Sequence, residues 1–311
     1  MPTKILVCDP IHEDGISMLK SAGFDVQLET NLTPEQLVSI VPEFDALVVR
    51  GRTKVTDAVI NAGTRLRAVA RSGVGLDNID LRSASKKSIQ IISTPAAPTT
   101  SVAELTVALA LDLLRRIAFA DGAMKMGRWA KAELIGNELK GKTVGVVGAA
   151  GRIGLEVARI CLQGFGAKVT GYDVLDLTEK ARSLGFRAVS GLEDLLPESD
   201  ILTIHVPYLP STHHLIDAKR ISSMKQSSIL INPSRGDIVD GEALLNALRA
   251  GKLAGAGLDV YHKEPPTDQW ERELTKLPNV VCTPHIGAQT VECQRLESTM
   301  VAEELIRSLK S

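Results

Sequence analysis

Thr143-Val-Gly-Val-Val-Gly-Ala-Ala-Gly-Arg-Ile-Gly154 is the stretch on which the reading of the chain turns. A short apolar run enters a glycine-rich turn, and an amphipathic stretch, 155–162, follows. The order is therefore strand, turn, helix. Glycines in such a turn let the backbone approach a pyrophosphate, whose charge meets free N–H groups at a helix N-terminus. The next apolar run, Lys168–Tyr172, ends at Asp173. That carboxylate follows Gly154 at the spacing of roughly 20 residues expected for one that accepts hydrogen bonds from adenosine ribose hydroxyls. Gly148, Gly151 and Gly154 are spaced in threes, so the GxGxxG pattern fits only with Ala149 in its first place. Asp173 repels a 2′-phosphate and no arginine directly follows it, which favours NAD over NADP. Cofactor contacts are expected from Ala150, Gly151, Arg152, Ile153 and Gly154 in the turn, and from Tyr172 and Asp173 beyond it.

Similar runs continue in both directions. Ile5–Cys8, 46–49, 68–70 and 89–92 form one series, with amphipathic stretches such as 11–22, 34–41 and 56–62 between them. Thr143–Val147, 168–172, 201–206, 228–232, 254–260 and 280–282 form a second. Strand and helix in alternation predict parallel sheets with right-handed crossovers, hence an α/β chain of two doubly wound domains. The prolines of Ser93-Thr-Pro-Ala-Ala-Pro-Thr-Thr100 mark the boundary. The predicted domains are 1–98 with 289–311, and 99–288, the stretch after Gln289 crossing back to the first. Ser101 reads as an N-cap with Glu104 at capping-box spacing. The helix it starts, 102–118, is apolar on most faces and must be buried, against the domains or another subunit.

Composition sets limits. At 311 residues the chain suits two domains. Aromatics are only 3% of it, so Val, Ile, Leu and Ala must build the core, as in sheets covered on both faces. Thirty-six Lys and Arg nearly cancel 37 Asp and Glu, leaving no global attraction to nucleic acid or an anionic membrane. Cys8, Cys161, Cys282 and Cys293 lack disulfide or metal spacing and are expected to be buried thiols. Met1-Pro-Thr-Lys4 runs straight into a strand, and no run approaches the length of a membrane helix, so no metal and a cytoplasmic setting are expected.

Several further motifs stand together: Val49-Arg-Gly-Arg-Thr-Lys-Val-Thr56, Arg71-Ser-Gly-Val-Gly-Leu-Asp-Asn78, Asn232-Pro-Ser-Arg-Gly236, Leu258-Asp-Val260, Glu264-Pro-Pro266 and Thr283-Pro-His-Ile-Gly287. With the glycine-rich segment, they make the chain resemble the D-isomer-specific 2-hydroxyacid dehydrogenases over nearly its whole length. The resemblance implies a Rossmann domain for NAD, a flavodoxin-like substrate domain and hydride transfer at C2 of a D-2-hydroxy acid. It also implies a homo-oligomer paired through the nucleotide domains. The chain departs from the family by one extra residue before Gly151 and a second within 161–166.

Oxidation of a secondary alcohol needs a base and a cationic anchor for the carboxylate. His285 suits the first, because imidazole titrates near neutrality. Glu264 is a partner that fixes its tautomer and favours imidazolium. Arg235 can fork onto the substrate carboxylate and polarise the C2 oxygen. The resemblance assigns these three the same roles and places Asp259 near the nicotinamide. Cofactor contacts are further expected at His205, Val206, Pro207, Pro233, Ser234, His285 and Gly287. His213 and His214 read as a polar turn, and His12 and His262 carry no catalytic context. For the substrate, the N–H groups of Ser72, Gly73, Val74 and Gly75 are expected to form an anion nest near Arg50, Arg52 and Arg71. Family members acting on phosphorylated acids carry arginine at the positions of Arg50 and Arg71. The resemblance also implies that Lys131 reaches a neighbouring subunit's site, and the end at Ser311 leaves no room for the regulatory domain of longer members. The expected substrate is a phosphorylated D-2-hydroxy acid, with reduction of glyoxylate or hydroxypyruvate as the alternative and a non-enzymatic NAD-sensing scaffold as the alternative of another class.

Overall fold

In the computed structural model, which describes residues 2–310, all twelve strands are parallel within two separate sheets. The first sheet contains β1 (Lys4–Val7), β2 (Asp25–Leu28), β3 (Ala46–Val49), β4 (Ala68–Arg71) and β5 (Gln90–Ser93). Their order is β2-β1-β3-β4-β5, the flavodoxin-like winding. Successive side chains point to opposite faces, so the short apolar strands feed two cores. Ile5, Val7, Val48 and Ala70 pack with Leu19, Val301 and Leu305, from helices Glu13–Ser21 and Val291–Lys310. Leu6, Leu47, Val49 and Val69 face the other way, toward Leu37, Val59, Ile60 and Ala84. The residues up to Pro98 and those from Ala288 onward form this unit.

The second unit, Thr99–Gly287, holds β6 (Thr143–Val147), β7 (Lys168–Tyr172), β8 (Arg187–Ala188), β9 (Ile201–Ile204), β10 (Ile229–Asn232), β11 (Gly255–Leu258) and β12 (Val280–Cys282). Its order is β12-β11-β10-β9-β6-β7-β8, so the winding reverses between β6 and β9. In such sheets, ligands bind outside the carboxyl ends of the strands at that reversal. Among the described residues, no helix is long and apolar enough to cross a membrane.

Several local expectations change. The predicted helix 102–118 runs from Thr99 to Arg115, so Ser101 lies buried in its first turn and is not its N-cap. It ends where Arg116 turns left-handed at φ 54°, before a second helix, Ile117–Lys125. Its apolar face packs within its own unit, where Ala103, Val107, Leu109 and Leu114 join the core beneath β6, β9 and β10. Exposed apolar residues follow it in the chain, with Trp129 76% and Ile135 90% exposed. The helix after the glycine-rich turn starts at Arg152, earlier than expected, and ends at Arg159. A π turn, Ile160–Gly164, continues it, which is how a helix takes up one added residue without breaking. Cys8, Cys161 and Cys293 are buried, but Cys282, at the end of β12, is exposed.

Helices Glu13–Ser21 and Val291–Lys310 approach so closely that a Cβ on Gly15 would lie 2.1 Å from Ser298 Oγ and 2.4 Å from Ser298 O. Gly15→Ala should therefore destabilise the protein by about 1–3 kcal/mol through overpacking. Urea denaturation followed by circular dichroism measures it.

Candidate functional site

The glycine-rich turn leaves β6 through Gly148, whose φ of 87° suits only glycine comfortably. A Cβ there would lie 2.5 Å from His205 O, so the turn rests against the segment after β9. Gly148 O accepts from Gly151 N at 3.1 Å, and a Cβ on Gly154 would meet that same oxygen at 2.3 Å. Gly148 thus takes the first place of the fingerprint that the sequence pattern assigned to Ala149. Ala149 is instead packed in the core.

The extra residue is held from two sides. Ala150 N donates to Asp173 Oδ2 at 2.8 Å, and Ala150 O accepts from Lys180 Nζ at 2.7 Å. Asp173 Oδ1 accepts from Leu175 N at 3.0 Å. Ala150 therefore turns its N–H toward Asp173, while Arg152, Ile153 and Gly154, also expected as cofactor contacts, open the helix. Their N–H groups occupy the first turn of the helix capped by Gly151, where intrahelical acceptors are missing. Open donors, a close glycine approach and a nearby carboxylate with lone pairs to spare fit a dinucleotide.

Other predicted cofactor residues follow neighbouring strands. Tyr172 O accepts from the N–H groups of Gly148 and Ala149. His205 pairs with Thr203 Oγ1 at 2.9 Å, and burial pushes its pKa down to about 3, so it is neutral at physiological pH. Val206 lies beside Gly148, Pro207 is exposed, and Pro233 and Ser234 follow β10. Ser234 is fixed by Asn232, whose Oδ1 accepts from both its N and its Oγ.

Three predicted catalytic side chains come together beyond β10, β11 and β12. His285 Nδ1 is 2.7 Å from Glu264 Oε2, leaving Nε2 to exchange a proton with another molecule. Burial opposes charge on Glu264, but the His285 hydrogen bond and charge, the Tyr261 N–H and the Arg235 charge hold its carboxyl below the usual range. Arg235 Nη1 donates to Ser234 O at 2.7 Å. His285 itself sits at φ 53°, a backbone position side chains seldom adopt. The cause is Asp259, which is 0% exposed. Its carboxylate accepts from Thr283 Oγ1 at 2.6 Å and from Ile286 N and Gly287 N at 2.8 Å. Burial raises the pKa of Asp259, while these three bonds and the His285 charge oppose that rise.

Of the other histidines, His213 and His214 stack at 3.9 Å in a turn, and His262 is hydrogen-bonded to Asp237. That bond raises the pKa of His262, a partnership its sequence context did not signal. A cavity of about 730 Å³ lies against Asp237, His262 and Trp270, and Arg235, Glu264 and His285 do not line it.

In the first unit, the expected anion nest is only half available. Ser72 N donates to Val49 O, and Gly73 N donates to Thr94 Oγ1, which leaves the N–H groups of Val74 and Gly75. Gly73, at φ 139°, has no Cβ to meet Arg71 Nη1, which would lie 1.9 Å away. The three arginines are not equivalent. Arg52 turns to Asp9, 3.2 Å away, and to Thr30 O, so it is removed from the expected cluster. Arg50 Nη2 lies 3.5 Å from Glu297 Oε2, and the Arg71 charge also acts on Glu297. Neither Asp9 nor Glu297 stands in any recognisable motif. Lys131 is exposed in a single helical turn of the second unit.

Residues 107–287 match the model of the D-isomer specific 2-hydroxyacid dehydrogenase NAD binding domain. The chain is 42% identical over 307 residues to D-3-phosphoglycerate dehydrogenase of Methanocaldococcus jannaschii, covering 99% of this chain but 57% of that protein. It is also 42% identical over 306 residues to hydroxypyruvate reductase of Thermotoga maritima, covering 98% of each. A D-lactate dehydrogenase from Aquifex aeolicus, complexed with NAD and lactic acid, superposes with a TM-score of 0.83 at 31% identity over 99% of this chain and 94% of that one. The chain thus spans little more than half the length of the archaeal relative. NAD is the cofactor that the turn accommodates.

Lys180→Ala removes the charged partner of Ala150 O and should loosen the turn. The expected loss is about 1 kcal/mol, or roughly fivefold in NADH affinity, read by fluorescence titration.

Proposed function

The chain belongs to the D-isomer-specific 2-hydroxyacid dehydrogenase family, and from that premise we propose that it oxidises D-3-phosphoglycerate to 3-phosphooxypyruvate with NAD. The observation that carries the reaction type is the His285–Glu264 pair at 2.7 Å with the Arg235 charge acting on it.

In oxidation, neutral His285 accepts the substrate hydroxyl proton at Nε2. Glu264, ionised because its carboxyl is held low, stabilises the imidazolium that forms. Arg235 pairs with the substrate carboxylate and fixes the C2 face. NAD, when bound, supplies the acceptor for the hydride that leaves C2, and the product is the 2-oxo acid. In reduction, His285 returns the proton to the C2 oxygen. Asp259 holds the imidazole turn in place, and Arg152, Ile153, Gly154 and Asp173 hold the dinucleotide.

Arg50, Arg71 and the N–H groups of Val74 and Gly75 support an anionic substrate tail, which favours the phosphorylated acid. A second reading, reduction of hydroxypyruvate, is favoured by Arg52, whose engagement with Asp9 leaves two arginines where three were expected. We further propose a cytoplasmic homo-oligomer, with the exposed apolar residues after Arg116 in the interface and Lys131 directed to the partner's substrate.

His285→Ala should lower turnover by about 10²–10⁴-fold while NADH binding persists. Near-normal turnover would remove His285 from the mechanism. Because oxidation needs neutral His285 and reduction needs it charged, the forward rate should rise with pH where the reverse rate falls. Initial rates on phosphooxypyruvate, hydroxypyruvate and glyoxylate at one NADH concentration decide between the two substrates.

A further inference from the structure

Glu297 takes part in no step above, yet it is a carboxylate in the interior of the first unit. It lies on helix Val291–Lys310, 1% exposed, on the helix whose Val301, Ala302 and Leu305 enter the core. Its Oε2 is 3.5 Å from Arg50 Nη2 and 3.4 Å from Ser72 Oγ. Burial pushes its carboxyl pKa up, and the charges of Arg50 and Arg71, with hydrogen bonds to Cys293 and Ser72, work against that rise. A buried ionised carboxylate survives only beside counter-charge, so Glu297 and these arginines stabilise one another.

We propose that Glu297 is a specificity-determining residue that acts as an internal counter-ion to Arg50 and Arg71 and weakens the hold of the site on dianionic tails. The inference rests on the reading that these two arginines receive the substrate's tail. With Glu297 ionised, the three groups carry a single net positive charge. Arg52 adds little, since Asp9, itself 2% exposed, already accepts from its Nε. A phosphate arriving at Arg50 must share the guanidinium with a carboxylate that repels it. A hydroxymethyl tail meets no such repulsion. The chain is thereby tuned to serve phosphorylated and unphosphorylated three-carbon acids with less discrimination than two unopposed arginines would impose.

Glu297→Gln keeps the side-chain shape and its acceptor oxygen while removing the charge. The ratio of kcat/KM on phosphooxypyruvate to that on hydroxypyruvate should rise about fivefold or more, through KM on the phosphorylated acid. A ratio unchanged, or a variant that loses both substrates equally, assigns Glu297 a packing role and overturns the proposal. If the glutamine variant does not fold, Glu297→Asp, which draws the charge back from Arg50, should move the ratio in the same direction. No movement there overturns the proposal equally. Calorimetric titration with inorganic phosphate separates this idea from the catalytic one. Tighter phosphate binding by the glutamine variant than by the parent supports the counter-ion role even if no 2-oxo acid is reduced. Equal binding, or none by either protein, refutes it.

Discussion

Asp259 is a carboxylate with no exposed surface, and the geometry of the turn that carries His285 hangs on what it accepts. Thr283, Ile286 and Gly287 all donate to it. Leaving it unpaired would strand a charge in a low-dielectric interior, at a cost well above that of holding His285 in an uncommon backbone conformation. The turn therefore keeps His285 at φ 53°, facing Glu264. The loop that carries Glu264 is tied back in turn, because Tyr261 donates from its N to Glu264 and from its hydroxyl to Thr283 O. A closed ring of hydrogen bonds runs from β11 through the Glu264–His285 pair to the end of β12. Such a ring holds the imidazole in one orientation.

The two places where the nucleotide unit reads as one residue longer than the family pattern are accommodated by different physics. In the turn, a residue without a regular backbone partner would expose or orphan its peptide groups. Asp173 and Lys180 accept and donate to the two sides of Ala150 instead. In the helix that follows, the addition widens one turn to π geometry and leaves the flanking elements in register. Gly148 and Gly154 still approach closely, so the turn keeps the tight backbone that a pyrophosphate needs.

Charge placement in the first unit follows a different rule. Arg52 parts from Arg50 and Arg71 because it finds a different acceptor, Asp9, while the other two share Glu297. Asp9 receives N–H groups from Arg50 and Thr53 and the Nε of Arg52, fixing the loop after β3. Glu297 reaches Arg50 from 247 residues away along the chain. Local charge density on the sequence thus overstated the free positive charge.

Much of the architecture is legible in the amino-acid order. The runs 143–147, 168–172 and 280–282 coincide with β6, β7 and β12, because each holds a short apolar or β-branched stretch between turn residues. The edge strands β2 and β8 went unnoticed because an edge is half solvated and carries Asp25, Gln27 and Arg187. Arg235, Glu264 and His285 are legible as a set because each stands in a distinctive short motif. Packing alone decided that Gly148 takes the first place in the turn, that Ser101 does not cap its helix, that Asp259 binds the imidazole turn and that Glu297 opposes Arg50. Periodicity and local motifs encode what a residue's near neighbours require. The partner of a buried charge is chosen by whatever the folded chain brings within a few ångströms, and that proximity exists only once the sheets and helices have packed.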